Sequence, residues 1–295
     1  MKKFLLVFCL NLFFISLFSQ QYIARARLEK EWGYIDQNGS WIINPQFEHV
    51  NDFSEGLAAM RKNGQWGYVD KKGKYAVNPQ FQKAQNFSEG LAAVMKGKEW
   101  GYVDKNGTWI VNPQFAKAFP FKDGLALVNM SGDFGFIDKE GHFVINPQFD
   151  DSRGFNEGYS CIRKGKEWGY VDERGNYVIN PQFLNANSFS EGLAAVRIGK
   201  EWGFIDKNGK YVINPQFVKV RDFKDGYAAV LKGKEWGFVD KQGKFIINPQ
   251  YEHVKDFNHG RALVRKNGEW GWVDTHGSYV INPQFANAYP FVKVD

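Results

Sequence analysis

Trp66-Gly67-Tyr68-Val69-Asp70-Lys71-Lys72-Gly73-Lys74-Tyr75-Ala76-Val77-Asn78-Pro79-Gln80-Phe81 is the stretch from which the fold is read. Its opening residues alternate aromatic with small or β-branched side chains, the pattern of a half-buried strand. Asp70 to Gly73 has the Asp-x-x-Gly form of a type I turn closed by a glycine in the left-handed region, so a return strand follows from Lys74. That strand is expected to stop at Asn78-Pro79, because proline donates no hydrogen bond and drives the residue before it towards an extended conformation. The head of the stretch recurs every 34 residues, at Trp32, Trp66, Trp100, Phe134, Trp168, Trp202, Trp236 and Trp270. Eight copies in fixed register are the mark of a repeat architecture.

The remainder of each unit is shorter on signal. Phe81, Ala84 and Phe87 are three apart, which fits either a short irregular strand or a single helical turn. Glu89-Gly90 then opens a third extended piece, Leu91 to Met95, whose Ala92 and Val94 positions hold only Ala or Ser and only Val, Ile or Met in the internal copies. One face of that strand is therefore closely packed. All ten prolines fall outside the expected strands, eight in Asn-Pro-Gln triplets and the others in Phe119-Pro120-Phe121 and Tyr289-Pro290-Phe291. The eight heads are expected to be buried in equivalent places, as core rather than as a ligand platform.

Residues Trp32 to Phe291 resemble the WG-repeat family of bacterial proteins, named for the Trp-Gly pair that heads each unit. The Trp-Gly-Tyr/Phe-Val/Ile-Asp head, the turn glycine and the downstream Phe-x-Glu/Asp-Gly-x-Ala carry the resemblance, and only Asp133-Phe134 departs from it at the head. The resemblance implies a β-rich repeat protein, often exported, and brings no catalytic motif with it.

These units of short strands and tight turns are those of an all-β blade or solenoid coil. We favour a propeller-like closed toroid of eight tandem repeats, because the first and last copies keep the core residues of the middle ones, and closure removes the need for polar caps. The alternative is an open β-solenoid or superhelical array, which the short 34-residue period supports.

Met1-Lys2-Lys3 followed by an apolar run from Phe4 to Phe18 has the shape of a signal peptide, with cleavage expected after Ser19. The run is too short for a comfortable membrane span, and Cys9 inside it is preceded by bulky Phe8, unlike a lipoprotein cysteine. The chain thus divides into a 1–19 leader and one repeat domain over 20–295, secreted or held in the periplasm or on the outer surface. Loss of Lys2 and Lys3 lowers the net charge from +6 to +4. The remaining lysines sit beside Glu or Asp in turns, a solvated rim rather than a nucleic-acid stripe. Cys161, the one cysteine left, takes a slot held elsewhere by alanine and reads as a small core residue.

Enzymes bring unlike groups together once, whereas this chain repeats the same groups. Its five histidines form no ligand spacing, the turn aspartates have lysines where a calcium loop needs oxygens, and no phosphate or dinucleotide loop is present. No catalytic, metal or cofactor site is assigned. The expected function is a non-enzymatic scaffold that binds another envelope or extracellular protein; a glycan or cell-wall module is the alternative, and a hydrolase at a ring axis the third. Exposure of Trp41 and Trp109 separates the first from the second. A unique partner needs a unique surface, and repeat 4 supplies one at 129–133 and in the loop Asp150-Asp151-Ser152-Arg153-Gly154. Asp150, Asp151 and Arg153 are the candidate partner-binding residues. Export has a direct check: protein recovered from its native host should begin near Gln20, and a cytoplasmic product still carrying Met1 to Ser19 overturns the leader.

Overall fold

The computed structural model describes residues 23–290; the leader, Phe291 and the last residues lie outside them. The described residues form strands and no helix. The first sheet holds β1 (Ala24–Leu28), β2 (Glu31–Ile35) and β3 (Trp41–Phe47), and the second holds β4 (His49–Val50), β5 (Leu57–Lys62), β6 (Gln65–Asp70) and β7 (Tyr75–Phe81). Six further four-stranded sheets repeat the second, each antiparallel with its strands in chain order. A sheet therefore straddles two sequence units: β4 and β5 end one unit, and β6 and β7 begin the next. The open choice at Phe81 to Phe87 resolves to a strand, since Lys83–Ala84 is extended and pairs with Met95 and Val94.

The return strand does not stop at proline. β7 runs through Asn78-Pro79-Gln80 to Phe81, and so do its counterparts, which places eight prolines inside strands, contrary to the sequence expectation. Trp66 pairs with Phe81 and Tyr68 with Val77, so Gly67 alone opposes Asn78, Pro79 and Gln80. This is a wide β-bulge, one of the few places where a strand tolerates proline. It also explains the glycine of the head. A Cβ on Gly67 would lie 2.5 Å from the Val77 carbonyl oxygen and 2.7 Å from the Pro79 nitrogen, and the other heads show the same approach.

The turn reading is borne out. Gly73 has φ +80°, and the Asp70 carboxylate accepts the amides of Lys72 and Lys74 at 2.8 and 2.9 Å. From the second sheet on, each turn glycine also lies against the preceding sheet, as Gly107 does on Val77. The sheets pack face to face by strand alternation. Ala58, Met60 and Val69 face the first sheet, while Ala59, Tyr68, Val77 and Phe81 face the third. Small residues occupy the inner strand and aromatics the outer strands, so the sheets splay outward as in a propeller. Cys161 is fully buried among such residues, as expected, and burial pushes its thiol up to about 12.

The heads are equivalent in register but not all buried. Phe134 and Trp168 are 7% and 9% exposed, whereas the other six are half-buried. The fully buried ring stands two places later, at Tyr34, Tyr68, Tyr102, Phe136, Tyr170, Phe204 and Phe238. Where it is tyrosine, its hydroxyl donates to a backbone carbonyl of the next loop, as from Tyr68 to Gln85 at 2.6 Å. The heads instead lie under variable side chains: Arg153 over Trp168, Lys117 over Phe134, and His49 stacked on Trp66.

The eight-repeat, propeller-like all-β arrangement is the expected one. On closure of the ring, the described residues hold seven cores between successive sheets. At the seam, Ala24 is exposed where its counterpart Ala58 is fully buried, and Phe285 is 41% exposed where Phe81 is fully buried. The first and last sheets are thus not packed on each other among these residues.

Gly67→Ala forces the bulged backbone to move and is expected to cost at least ~2 kcal/mol, the middle of the range for overpacking. Urea denaturation checks this, and a loss below about 0.5 kcal/mol would show that the close crossing does not constrain the hairpin.

Candidate functional site

The loops between the first and second strands of the four-stranded sheets gather on the inner side of the fan, and most of their polar groups tie one sheet to the next. Ser54 donates to the Phe87 carbonyl, Ser88 to Phe121 and Ser190 to Phe223. Glu55 accepts the Gly90 amide at 3.0 Å and pairs with Lys105 at 3.1 Å; Glu89, Glu157 and Glu191 form the same latch with the sheet that follows each. Burial opposes ionisation of Glu89, but the Lys139 ammonium and the Gly124 amide outweigh it and lower its pKa. The sequence reading did not find this latch, although the recurrent Phe-x-Glu/Asp-Gly motif carried it. Its partners belong to different units, so no single copy displays it.

The pattern fails between the seventh and eighth sheets, where Asp225 and Thr275 fill the two slots, and between the fourth and fifth. Asp123 stands in the glutamate slot and Glu173 in the lysine slot, and no latch forms there among the described residues. The inner-lining pair, Asn51-Asp52 or Arg221-Asp222 elsewhere, is here Phe119-Pro120, and in the fifth sheet it is Arg153-Gly154. The first strand of the fifth sheet is also lengthened to Asp151–Asn156, and its Ser152 hydroxyl meets the buried Ser160 hydroxyl at 3.0 Å. The result is a cleft of about 660 Å³ reaching from Ser88 of the third sheet to Ser188 of the sixth. Leu127 and Phe136 form its buried side, Phe119 is 39% exposed along it, and Lys122 and Arg153 are its cations.

The three candidate residues divide. Asp150 accepts the Gly165 amide, as Glu48 does for Gly64 and Glu252 for Gly268, which makes it a hairpin cap. Asp151 lies 4.0 Å from Arg163 on the same hairpin. Arg153 leaves them: it sits 4.9 Å over the Trp168 ring, donates to Asn185 Oδ1 at 3.0 Å, and lines the cleft. The entry turn of repeat 4 is shorter than 129–133, because Asn129 and Met130 belong to the strand and only Ser131-Gly132 turns. Trp109 is half-buried, edge-on to Phe81 of the preceding sheet, and Phe143, Tyr177 and Phe245 repeat that contact. Trp41, in the first sheet, is 36% exposed. Among the described residues no group of His, Cys, Asp and Glu is placed to hold a metal.

The inner lining brings carboxylates of neighbouring sheets together. Asn187 donates to Asp222 at 2.7 Å, and Arg221 approaches Asp256 at 3.5 Å. Burial raises the Asp222 pKa, the Asn187 hydrogen bond opposes this, Asp256 adds to the rise, and Arg153 opposes it from two sheets away. A carboxyl whose folded pKa is raised loses stability as pH climbs through the window above its unfolded value, and the loss then stays constant. Asp222→Asn keeps an acceptor for Asn187 and is expected to raise Tm at pH 7 by roughly 1–3 °C, discounted for the water that reaches the side chain, with no difference below about pH 3.5. Thermal scans at both pH values check this, and a lower Tm for the variant at pH 7 contradicts it.

No curated protein matches this chain. Among solved structures, one described as a eukaryotic initiation factor superposes with a TM-score of 0.59 at 11% identity, covering 88% of this chain and 84% of the other. The dihydro-heme d1 dehydrogenase NirN gives 0.44 at 15% identity over 86% and 71%, and Hsv2p of Kluyveromyces lactis 0.43 at 9% over 76% and 92%. At such identities only the fold is shared, and only the first superposition bears on it. A family model described as the WG containing repeat matches residues 32–66, 66–100, 100–132, 134–168, 168–202, 202–236, 236–270 and 270–293. With nearly the whole described chain matched, unit after unit, the chain belongs to the WG-containing repeat family.

Proposed function

We propose that the chain is an exported, non-enzymatic scaffold that binds another protein of the cell envelope or exterior. The observation that carries this reading is how the polar groups are used. Turn aspartates, latch glutamates and tyrosine hydroxyls are spent on the frame, while the unrepeated residues collect on open surface and in one cleft. Leu184, Ile198 and Val218 add exposed apolar area on the sixth and seventh sheets, where the second and eighth sheets carry the Glu48–Arg61 and Glu252–Arg265 pairs. Apolar groups within a charged rim are the composition of a protein interface. A sugar platform is less well served, because the aromatic row that includes Trp109 packs on neighbouring phenylalanines. The carboxylates of the inner lining are held by their neighbours and present no lone acid and base.

Crosslinking in the native host tests the reading. The exported chain should be recovered with one protein partner in fixed ratio, and purified chain should bind that partner directly. Recovery of the chain alone, from cells in which a control envelope complex does crosslink, overturns it.

A further inference from the structure

The cleft between the fourth and fifth sheets is a departure from repeat symmetry within the array, and its lining has a definite chemistry. Its walls are phenylalanine, leucine and proline, its cations are Lys122 and Arg153, and among the described residues no carboxylate lines it, in a chain whose inner loops are otherwise rich in Asp and Glu. Phe119-Pro120 places apolar groups where other sheets have polar ones, and Gly154 removes a side chain from the same layer. A Cβ on Gly154 would meet nothing within 4 Å, so that glycine leaves open space.

Arg153 is oriented by the frame and also lines the cleft. One face of its guanidinium lies on Trp168 and one nitrogen donates to Asn185, which fixes the plane while other donors remain. A planar fork held in this way suits a carboxylate and loses little freedom on binding. The volume of about 660 Å³ is that of a site taking a few side chains, and its span over four sheets suits an extended segment.

We propose that this cleft docks an exposed segment of a partner protein in which aromatic or aliphatic side chains adjoin Asp or Glu, with the apolar groups against Phe119 and Leu127 and a carboxylate on Arg153. The proposal rests on the scaffold reading and names its site. The Glu–Lys latch is missing at this junction, and Lys122 instead donates across it to the Phe155 carbonyl and to Asn156 Oδ1 at 3.2 and 2.7 Å, which holds its ammonium at the cleft without a carboxylate partner.

The probe is a synthetic peptide, acetyl-Gly-Asp-Leu-Phe-Asp-Gly-amide with a neutral dye, titrated by fluorescence anisotropy against the exported full chain. Binding should weaken at least tenfold when both Asp are replaced by Asn, and again when Leu-Phe is replaced by Ala-Ala. Arg153→Gln and Phe119→Asn, the latter restoring the residue present at Asn51 and Asn187, should each weaken the parent peptide at least tenfold with Tm changed by less than about 3 °C. If either variant unfolds, Ser188→Asp, which sets a carboxylate on the cleft wall in the slot held by Asp52 and Asp222, should block the peptide instead. Equal binding of the Asn peptide, or unchanged binding by folded variants, overturns the proposal. So does decanoate that binds more tightly than the peptide and depends equally on Arg153, because the cleft would then serve a free amphiphile. If the crosslinked host partner is recovered equally by the wild type and by Arg153→Gln, the cleft proposal falls and the scaffold reading stands.

Discussion

The structure depends on one close crossing of backbone. In every hairpin the glycine after the head passes so close to a bulged Asn-Pro-Gln that an added Cβ would lie under 3 Å from its backbone. The bulge makes a strand of ordinary length carry extra residues, which bends its edge and brings the following Phe back into pairing with the head. That Phe then supplies the outer part of the core on which the next sheet sits. The crossing also protects the edge. The outer strand of each sheet has a neighbour on one side only, and a proline set in a bulge is a poor template for another strand.

Much of this was legible in the chain. Fixed spacing, the Asp-x-x-Gly turn and strand alternation were enough for sheet type and general arrangement, because each is a local consequence of backbone geometry, while the short strand Lys83–Ala84 was left open. Proline misled for a physical reason. Its missing donor excludes it from a regular ladder but not from a bulge, and a bulge is recognised only when the opposing residue is known to be glycine. The heads misled because size was taken for depth. Trp66 lies on the outer flank opposite Arg61, whereas Tyr68 points between sheets.

The candidate site was half legible. Broken symmetry directed attention to the right sector, and Arg153 lines the cleft found there. Asp150 and Asp151 stood out by charge alone, and charge did not reveal that a hairpin amide and Arg163 had already engaged them. Phe119-Pro120 was visible as a paired departure, but its meaning required knowing that its slot lines the inner side. The latch was hidden for a related reason, since contacts between units leave no trace within one unit.

The offset between sequence unit and sheet has a consequence for how the chain reaches its shape. Every sheet is completed by the head of the next unit, and the ties between sheets join residues about one repeat apart, with the Lys–Glu latches of Lys105, Lys139, Lys207 and Lys241 reaching a separation of 50. The entropy of closing a loop is therefore set by tens of residues, not by the length of the chain. Low contact order is unusual for an all-β protein and removes the slow search that distant strand pairing imposes. A chain that emerges from one end can complete each sheet, and lay it on the last, while the remainder is still extended.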